Sequence, residues 1–134
     1  MEQSSNHRNV VFTLGDMFFE FDEAKNQINI QKHGIPFTVA ARIFFDYDRI
    51  EMTDIGHSND ELRYNTIGDT SAGNPIRYAA GRFNESIGRI NDILFVVYTE
   101  RVVTLSDGTE HEVTRLISAR LATSFERGLY YGKY

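Results

Sequence analysis

The sequence predicts an α+β protein in which two N-terminal helices and a short C-terminal helix pack on one face of an antiparallel meander sheet. Three observations lead there. Residues 23–44 carry helix start and stop signals around apolar positions at helical spacing. From about residue 49 the pattern changes to short strand-forming runs separated by turns. Residues 123–126, Thr-Ser-Phe-Glu, then spell a capping box, in which Thr and Glu each satisfy a free backbone N–H.

Taken in order, residues 1–9 are polar and read as a flexible tail before a domain spanning 10–134. VVFTL (10–14) suits a short extra strand, and MFFEF (17–21) a nearly continuous apolar strand. Asp22 is placed to cap a helix over 23–32, with Ala24, Ile28 and Gln31 on one stripe. Gly34 stops that helix, since glycine tolerates the left-handed cap conformation. Pro36 and Thr38 open a second helix that buries Phe37, Ala40, Ala41 and Phe44. The meander is then expected from RIEMTD, RYNTIG, IRYAAGRF, RINDILFVVYTERVVTL and HEVTRLISAR, with a tight hairpin at Asp107-Gly108. RYNTIGD (63–69) is echoed by RFNESIGRIND (82–92). The echo reads as an insertion near 69–88 that lengthens a hairpin.

Bulk properties narrow the function. The chain has 134 residues, the size of one domain at ~100–200 residues per domain. A hydrophobic content of 41% with ten Phe and seven Tyr supports a packed core and argues against disorder. The absence of cysteine excludes disulfides and thiolate metal sites and suits a reducing cytoplasm. ILFVVY is far shorter than the ~20 residues that span a bilayer, and MEQSSNHRN lacks a signal peptide's apolar stretch. A soluble cytoplasmic protein without a membrane partner is expected. The net charge of −5 disfavours phosphate binding overall. Yet arginines recur at 77, 82, 89, 101, 115, 120 and 127, so a local basic face on an acidic body is compatible with the sequence.

The four histidines, His7, His33, His57 and His111, show no metal-ligand spacing. No phosphate-binding glycine loop, nucleophile elbow or dinucleotide fingerprint is present. Neither metal nor cofactor is expected.

Two separated blocks carry the chemistry: FEFDEAKNQINIQKHGIPF (19–37), and FVVYTER (95–101) followed by RLISARLATSFER (115–127). With FEFDEAK, Asn29, KHG, Phe37 and the Arg63…Ile67-Gly68 pattern, they resemble the BrnT family of bacterial toxins, from about 19 to 131 with the insertion between. The resemblance implies a RelE-like fold and a ribonuclease belonging to a type II toxin–antitoxin pair. It further implies a ribbon-helix-helix antitoxin of BrnA type, a hetero-oligomer with that antitoxin, and operator DNA bound by the complex. The insertion and an N-terminus about fifteen residues longer than typical depart from the family pattern.

Metal-free RNA cleavage must deprotonate a 2′-OH, stabilise the phosphate and protonate the 5′-oxygen. His33 is a candidate acid–base group, and equally a residue that caps a helix. Lys32 suits a phosphate contact or a solvated helix end. Arg101, Arg115 and Arg120 offer the planar donor fork that clamps oxyanions, or surface salt bridges with Glu100 or Glu126. Arg115 and Arg120 stand five apart on a strand, so they face opposite sides unless the strand bulges or ends between them. Arg63, with Arg82 as its twin in the repeat, is a further substrate contact. Tyr98 either orients a phosphate or fills the core. Asp22 reads as a cap rather than a catalyst. A metal-independent endoribonuclease is the leading expectation, and a catalytically inactive module that only binds an antitoxin or another protein is the alternative. A cytoplasmic α+β domain with unrelated binding is the least specific reading.

Overall fold

Hydrophobic alternation along MFFEFD sets the centre of the molecule, since Phe19 and Phe21 bury on one face of a strand while Glu20 points to the other. A computed structural model describes residues 7–53, 62–71 and 93–132. The strands are β1 (Asn9–Leu14), β2 (Met17–Asp22), β3 (Ile50–Thr53), β4 (Arg63–Asp69), β5 (Ile93–Thr104) and β6 (Glu110–Leu121). The helices are α1 (Glu23–His33), α2 (Phe37–Ala40), continued as a 3-10 turn over Ala41–Phe45, and α3 (Ser124–Tyr130). One six-stranded sheet is built in the order β1-β2-β6-β5-β4-β3.

This architecture corrects the expected RelE-like arrangement of two N-terminal helices and a C-terminal helix on an antiparallel meander. The sheet is mixed. The β1–β2 hairpin pairs antiparallel, but β2 lies parallel to β6, with Glu20 opposite Arg115. The reason is the crossover through α1 and α2, which carries the chain across the sheet before β3, β4, β5 and β6 return towards β2. The second helix is a single turn that tightens into 3-10 geometry. Ile43, Phe44 and Phe45 are poor helix formers, because branched and aromatic side chains lose rotamer freedom against the preceding turn. The helices also do not share a face. Ile35, Phe37, Ala40, Ile43 and Phe44 pack with Phe19, Leu94, Val96, Tyr98, Leu116 and Ala119 on one side. Leu129 and Tyr130 of α3 pack with Ile67, Ile93 and Phe95 on the other.

The stripe expected on α1 is likewise corrected. Ile28 is 51% exposed, whereas Asn26 and Asn29 are the buried residues of this helix. Hydrogen bonds offset the cost of burying these amides. Asn29 Nδ2 donates to the Ile35 carbonyl (3.0 Å) and the Ala119 carbonyl (2.8 Å), and its Oδ1 accepts from Ala119 N at 3.1 Å. Asn26 Oδ1 accepts from Phe37 N at 2.9 Å. Helix α1 is therefore fastened to β6 and to the start of α2 by amides as well as by oil. Its ends follow the sequence reading, with Asp22 accepting from Lys25 N and Gly34 in the left-handed conformation at φ 72°.

A close approach explains Gly68. A Cβ there would lie 3.0 Å from the Ile43 Cβ, so only glycine lets β4 run directly beneath the 3-10 turn. Buried Asp46 closes the same end: its carboxylate accepts from Asp48 N, Asp69 N and the Tyr130 hydroxyl at 2.9, 2.9 and 2.6 Å. The capping box predicted at Thr123 and Glu126 is present. The tail expected over 1–9 is described only from His7, and Asn9 already opens β1. The strand expected over 76–83, the 82–92 echo and most of the 69–88 insertion lie outside the described residues.

Asn29→Ala strands the Ala119 amide and two carbonyls at a buried seam. We expect a loss of about 3 kcal/mol in urea unfolding, in line with the penalty for unpaired buried polar groups. An effect below about 0.5 kcal/mol would refute this account of how α1 is held.

Candidate active site

The face opposite α1 carries most of the cations singled out in the sequence, and a strand irregularity places them there. Val97 pairs with Ser118, Tyr98 with Leu116 and Thr99 with Arg115, so Ile117 is an extra residue in β6. The bulge shifts the alternation by one. Arg115 and Arg120, five apart, consequently face the same side, the condition the spacing demanded. One row crosses the sheet from Glu20 through Arg115 and Thr99 to Arg63, and the next holds Phe18, Val113 and Arg101.

Glu20 organises that face. Its side chain is only 2% exposed, yet it receives Arg101 Nε on Oε2 at 2.5 Å and Arg115 Nη1 on the same oxygen at 3.3 Å. Asn9 completes the array: its Nδ2 donates to Glu20 Oε1 at 3.0 Å, and its Oδ1 accepts from Arg115 Nη1 at 2.7 Å. Burial alone pushes the Glu20 carboxyl up. The Asn9 hydrogen bond, the Arg101 hydrogen bond and charge, and the Arg115 charge outweigh it and hold the group below its ordinary value. The arginines remain accessible, with side chains 48% exposed for Arg101 and 30% for Arg115.

Arg120 lies on this face but is already engaged. It grips Glu126 with two bonds of 2.8 and 3.0 Å, and its guanidinium stacks 4.1 Å from the Phe95 ring centroid. The salt bridge weighed from sequence is the one formed. The Arg120 bond lowers the Glu126 carboxyl below its ordinary value against burial, assisted by the Thr123 backbone N–H. Arg63 is half-buried in the row of Glu20 and Arg115.

Tyr98 occupies the opposite face. Its ring lies 4.9 Å from Phe44 and 5.3 Å from Tyr64, so the core position weighed from sequence is the one occupied. Burial, then the charge and hydrogen bond of Glu51, raise its hydroxyl far above the ordinary phenol range. Lys32 and His33 end α1, exposed, on this helix-bearing side. The structure therefore brings Arg101 and Arg115 together, sets Arg63 and Arg120 on their face, and leaves Tyr98, Lys32 and His33 on elements of the other side.

Three residues escaped the sequence reading of the site. Glu20 was signalled by its position, a carboxylate between two core phenylalanines, where an isolated charge is too costly to leave unpaired. Asn9 gave no signal. His111 is the histidine of the arginine face, paired with Val103 two residues from Arg101 along β5. Its ring lies 4.7 Å from Phe18, and its Nε2 is 3.3 Å from Thr109 Oγ1. Beside it opens a cleft lined by Asp16, Phe18, Glu100, Glu110 and Glu112. Among the described residues no group of His, Asp and Glu has the geometry of a metal site. Two guanidiniums with a nearby imidazole can bind a phosphodiester and exchange protons with it.

The lowered carboxyls predict acid sensitivity. A group whose pKa is lower folded than unfolded stabilises the fold above its ordinary value, 4.5, and loses that contribution as pH falls through the folded value. The midpoint of thermal unfolding should fall below about pH 4.5. Glu126→Gln keeps the capping box but not the ion pair, and should flatten that slope; an unchanged slope would show that the Arg120 pair contributes nothing.

Curated proteins give no match to this chain. A family model, that of the BrnT ribonuclease toxins of type II toxin–antitoxin systems, matches residues 21–80. The matched stretch holds Lys32, His33 and Arg63, while Asn9, Glu20, Tyr98, Arg101, Arg115 and Arg120 lie outside it. That match covers 60 of the 134 residues and falls within the stretch, about 19 to 131, over which the motifs resemble the same family.

Proposed function

We propose that this chain is the toxin of a type II pair and cuts RNA without a metal, in the cytoplasm, until a cognate antitoxin neutralises it. The observation that carries this reading is the Arg101–Arg115 pair, gathered with both side chains partly exposed on one sheet face of a chain whose residues 21–80 match a family of ribonuclease toxins. Arg101 and Arg115 seat the scissile phosphate, Arg63 continues their row beneath the flanking backbone, and Arg120, held by Glu126, braces the end of β6 against α3. The 2′-oxygen attacks phosphorus, the bond to the 5′-oxygen breaks, and an imidazole takes the first proton and returns one to the leaving oxygen. His111 shares the face of the arginines and is the favoured imidazole. His33, with Lys32 as its phosphate-binding neighbour, is the second, since both lie in the matched stretch. Tyr98 serves from behind by fixing β5 in the core. The antitoxin is of the basic ribbon-helix-helix BrnA type. It forms a hetero-oligomer with this acidic chain and carries the complex to operator DNA.

A second reading, a module that binds an antitoxin without cutting RNA, is favoured by one observation: Glu20 already neutralises half of the arginine pair. The two readings separate in one assay. Purified protein with RNA in EDTA should cleave, and Arg101→Ala should lower kcat/KM roughly 100-fold, the scale of losing one preorganised charge contact. His111→Ala and His33→Ala then assign the imidazole. RNA left intact in EDTA at every pH, with tight binding of a basic partner, would establish the second reading.

A further inference from the structure

The Glu20 array has a charge and a shape that suit one particular ligand, and the strand that completes it lies outside the stretch shared with the family. Two guanidiniums and one carboxylate leave a single positive charge. Each guanidinium presents five N–H donors. Glu20 is ion-paired with Nε of Arg101 and Nη1 of Arg115 and accepts from Nη2 of Arg101, while Asn9 accepts from Nη1 of Arg115. Among the described residues, Nη1 of Arg101 and Nη2 of Arg115 take no hydrogen-bond partner, and the two side chains are 48% and 30% exposed. The buried carboxylate thus acts as a spacer that holds two forks close together without mutual repulsion. Asn9 is the only neutral member. It bridges Glu20 and Arg115 and adds no charge, so it fixes the direction of the Arg115 fork.

We propose that Asn9, Glu20, Arg101 and Arg115 form a seat for one phosphodiester of single-stranded RNA, with Asn9 as its positioning residue. The inference rests on the ribonuclease reading for the identity of the polyanion, and on the array alone for its stoichiometry. One bound phosphodiester makes the seat neutral. Strand β1 (Asn9–Leu14) therefore does more than cover the edge of β2: it supplies a group that aims the cation pair.

Binding of a 2′-O-methylated, uncleavable RNA oligonucleotide is measured across a salt series for the full-length wild type, Asn9→Ala and Asn9→Asp. Cleavable RNA gives kcat and KM in parallel. Asn9 stands on an edge strand with its side chain exposed, and unfolding midpoints verify that the variants fold. Asn9→Ala keeps the charge but frees the Arg115 fork, so affinity should fall several-fold at an unchanged salt slope, with the change in KM rather than kcat. Asn9→Asp cancels the remaining positive charge, so the slope of log affinity against log salt should shrink by about 0.7, the contribution of one single-strand phosphate contact. Wild-type affinity and slope in both variants, or a wild type that does not bind the oligonucleotide, would overturn the seat. Cleavage that persists while both variants bind like wild type removes the seat and leaves the ribonuclease reading standing. The expected slope change in a protein that never cleaves supports the seat and removes the ribonuclease reading.

Discussion

A carboxylate that stands between two core phenylalanines in sequence, and is buried on the opposite face of their strand, governs the arginine face. Glu20 cannot stay ionised there without partners, because a buried charge is tolerated only when paired and hydrogen-bonded. Its partners come from three other strands: Asn9 from β1, Arg115 from β6 and Arg101 from β5. The interaction therefore stitches the parallel β2–β6 seam, where the hairpin of the N-terminus meets the hairpin of the C-terminus. Parallel pairing is somewhat weaker per residue than antiparallel. A charge network beside that seam joins strands far apart in sequence, and in the same act gathers two cations where a phosphate can reach them.

The bulge at Ile117 is the second constraint, and it works by counting. In an unbroken strand, Arg115 and Arg120 would stand back to back. One unpaired residue moves everything from Ser118 onward to the other face, so that Arg120 stacks on Phe95 and reaches Glu126 at the start of α3. The same shift leaves Ala119 on the core side, where its backbone meets Asn29. A strand without the bulge that kept Arg115 beside Glu20 would lose both. The position of α1 and the composition of the arginine face are thus set by a single irregularity.

Local signals in the sequence proved reliable where the physics is local. The cap at Asp22, the stop at Gly34 and the capping box at Thr123 each depend on residues within one turn, and each is formed as read. Non-local features were not legible. Parallel pairing of β2 with β6 joins residues 95 apart, and nothing in MFFEFD distinguishes a parallel from an antiparallel neighbour. The buried asparagines of α1 look like surface residues in any window, because their partners, Ile35, Phe37 and Ala119, become visible only in the fold. The arginines could be chosen from VVYTER and RLISAR but not sorted by face, since the sequence posed the bulge as a condition without placing it. His111, a histidine beside a hairpin turn and without a motif, carries no local mark of the face it joins.

The acidity of the whole chain bears directly on what such a site can bind. At a net charge of −5 the long-range field repels a polyanion, so affinity must arise within about one Debye length, ~8 Å at physiological salt. Within that range the balance is local. Arg63, Arg101 and Arg115 stand against Glu20 on adjacent rows, while Asp16, Glu100, Glu110 and Glu112 line the cleft beside them. A basic strand laid along such an edge meets carboxylates, and among the described residues the pair that Glu20 assembles offers a phosphate two partly exposed arginines. The arrangement disfavours indiscriminate adsorption to nucleic acid and confines phosphate recognition to a short stretch of sheet. On the proposed reading, the acidic remainder of the chain presents the opposite sign to a basic partner, so that substrate and inhibitor would be met by different surfaces of one small domain.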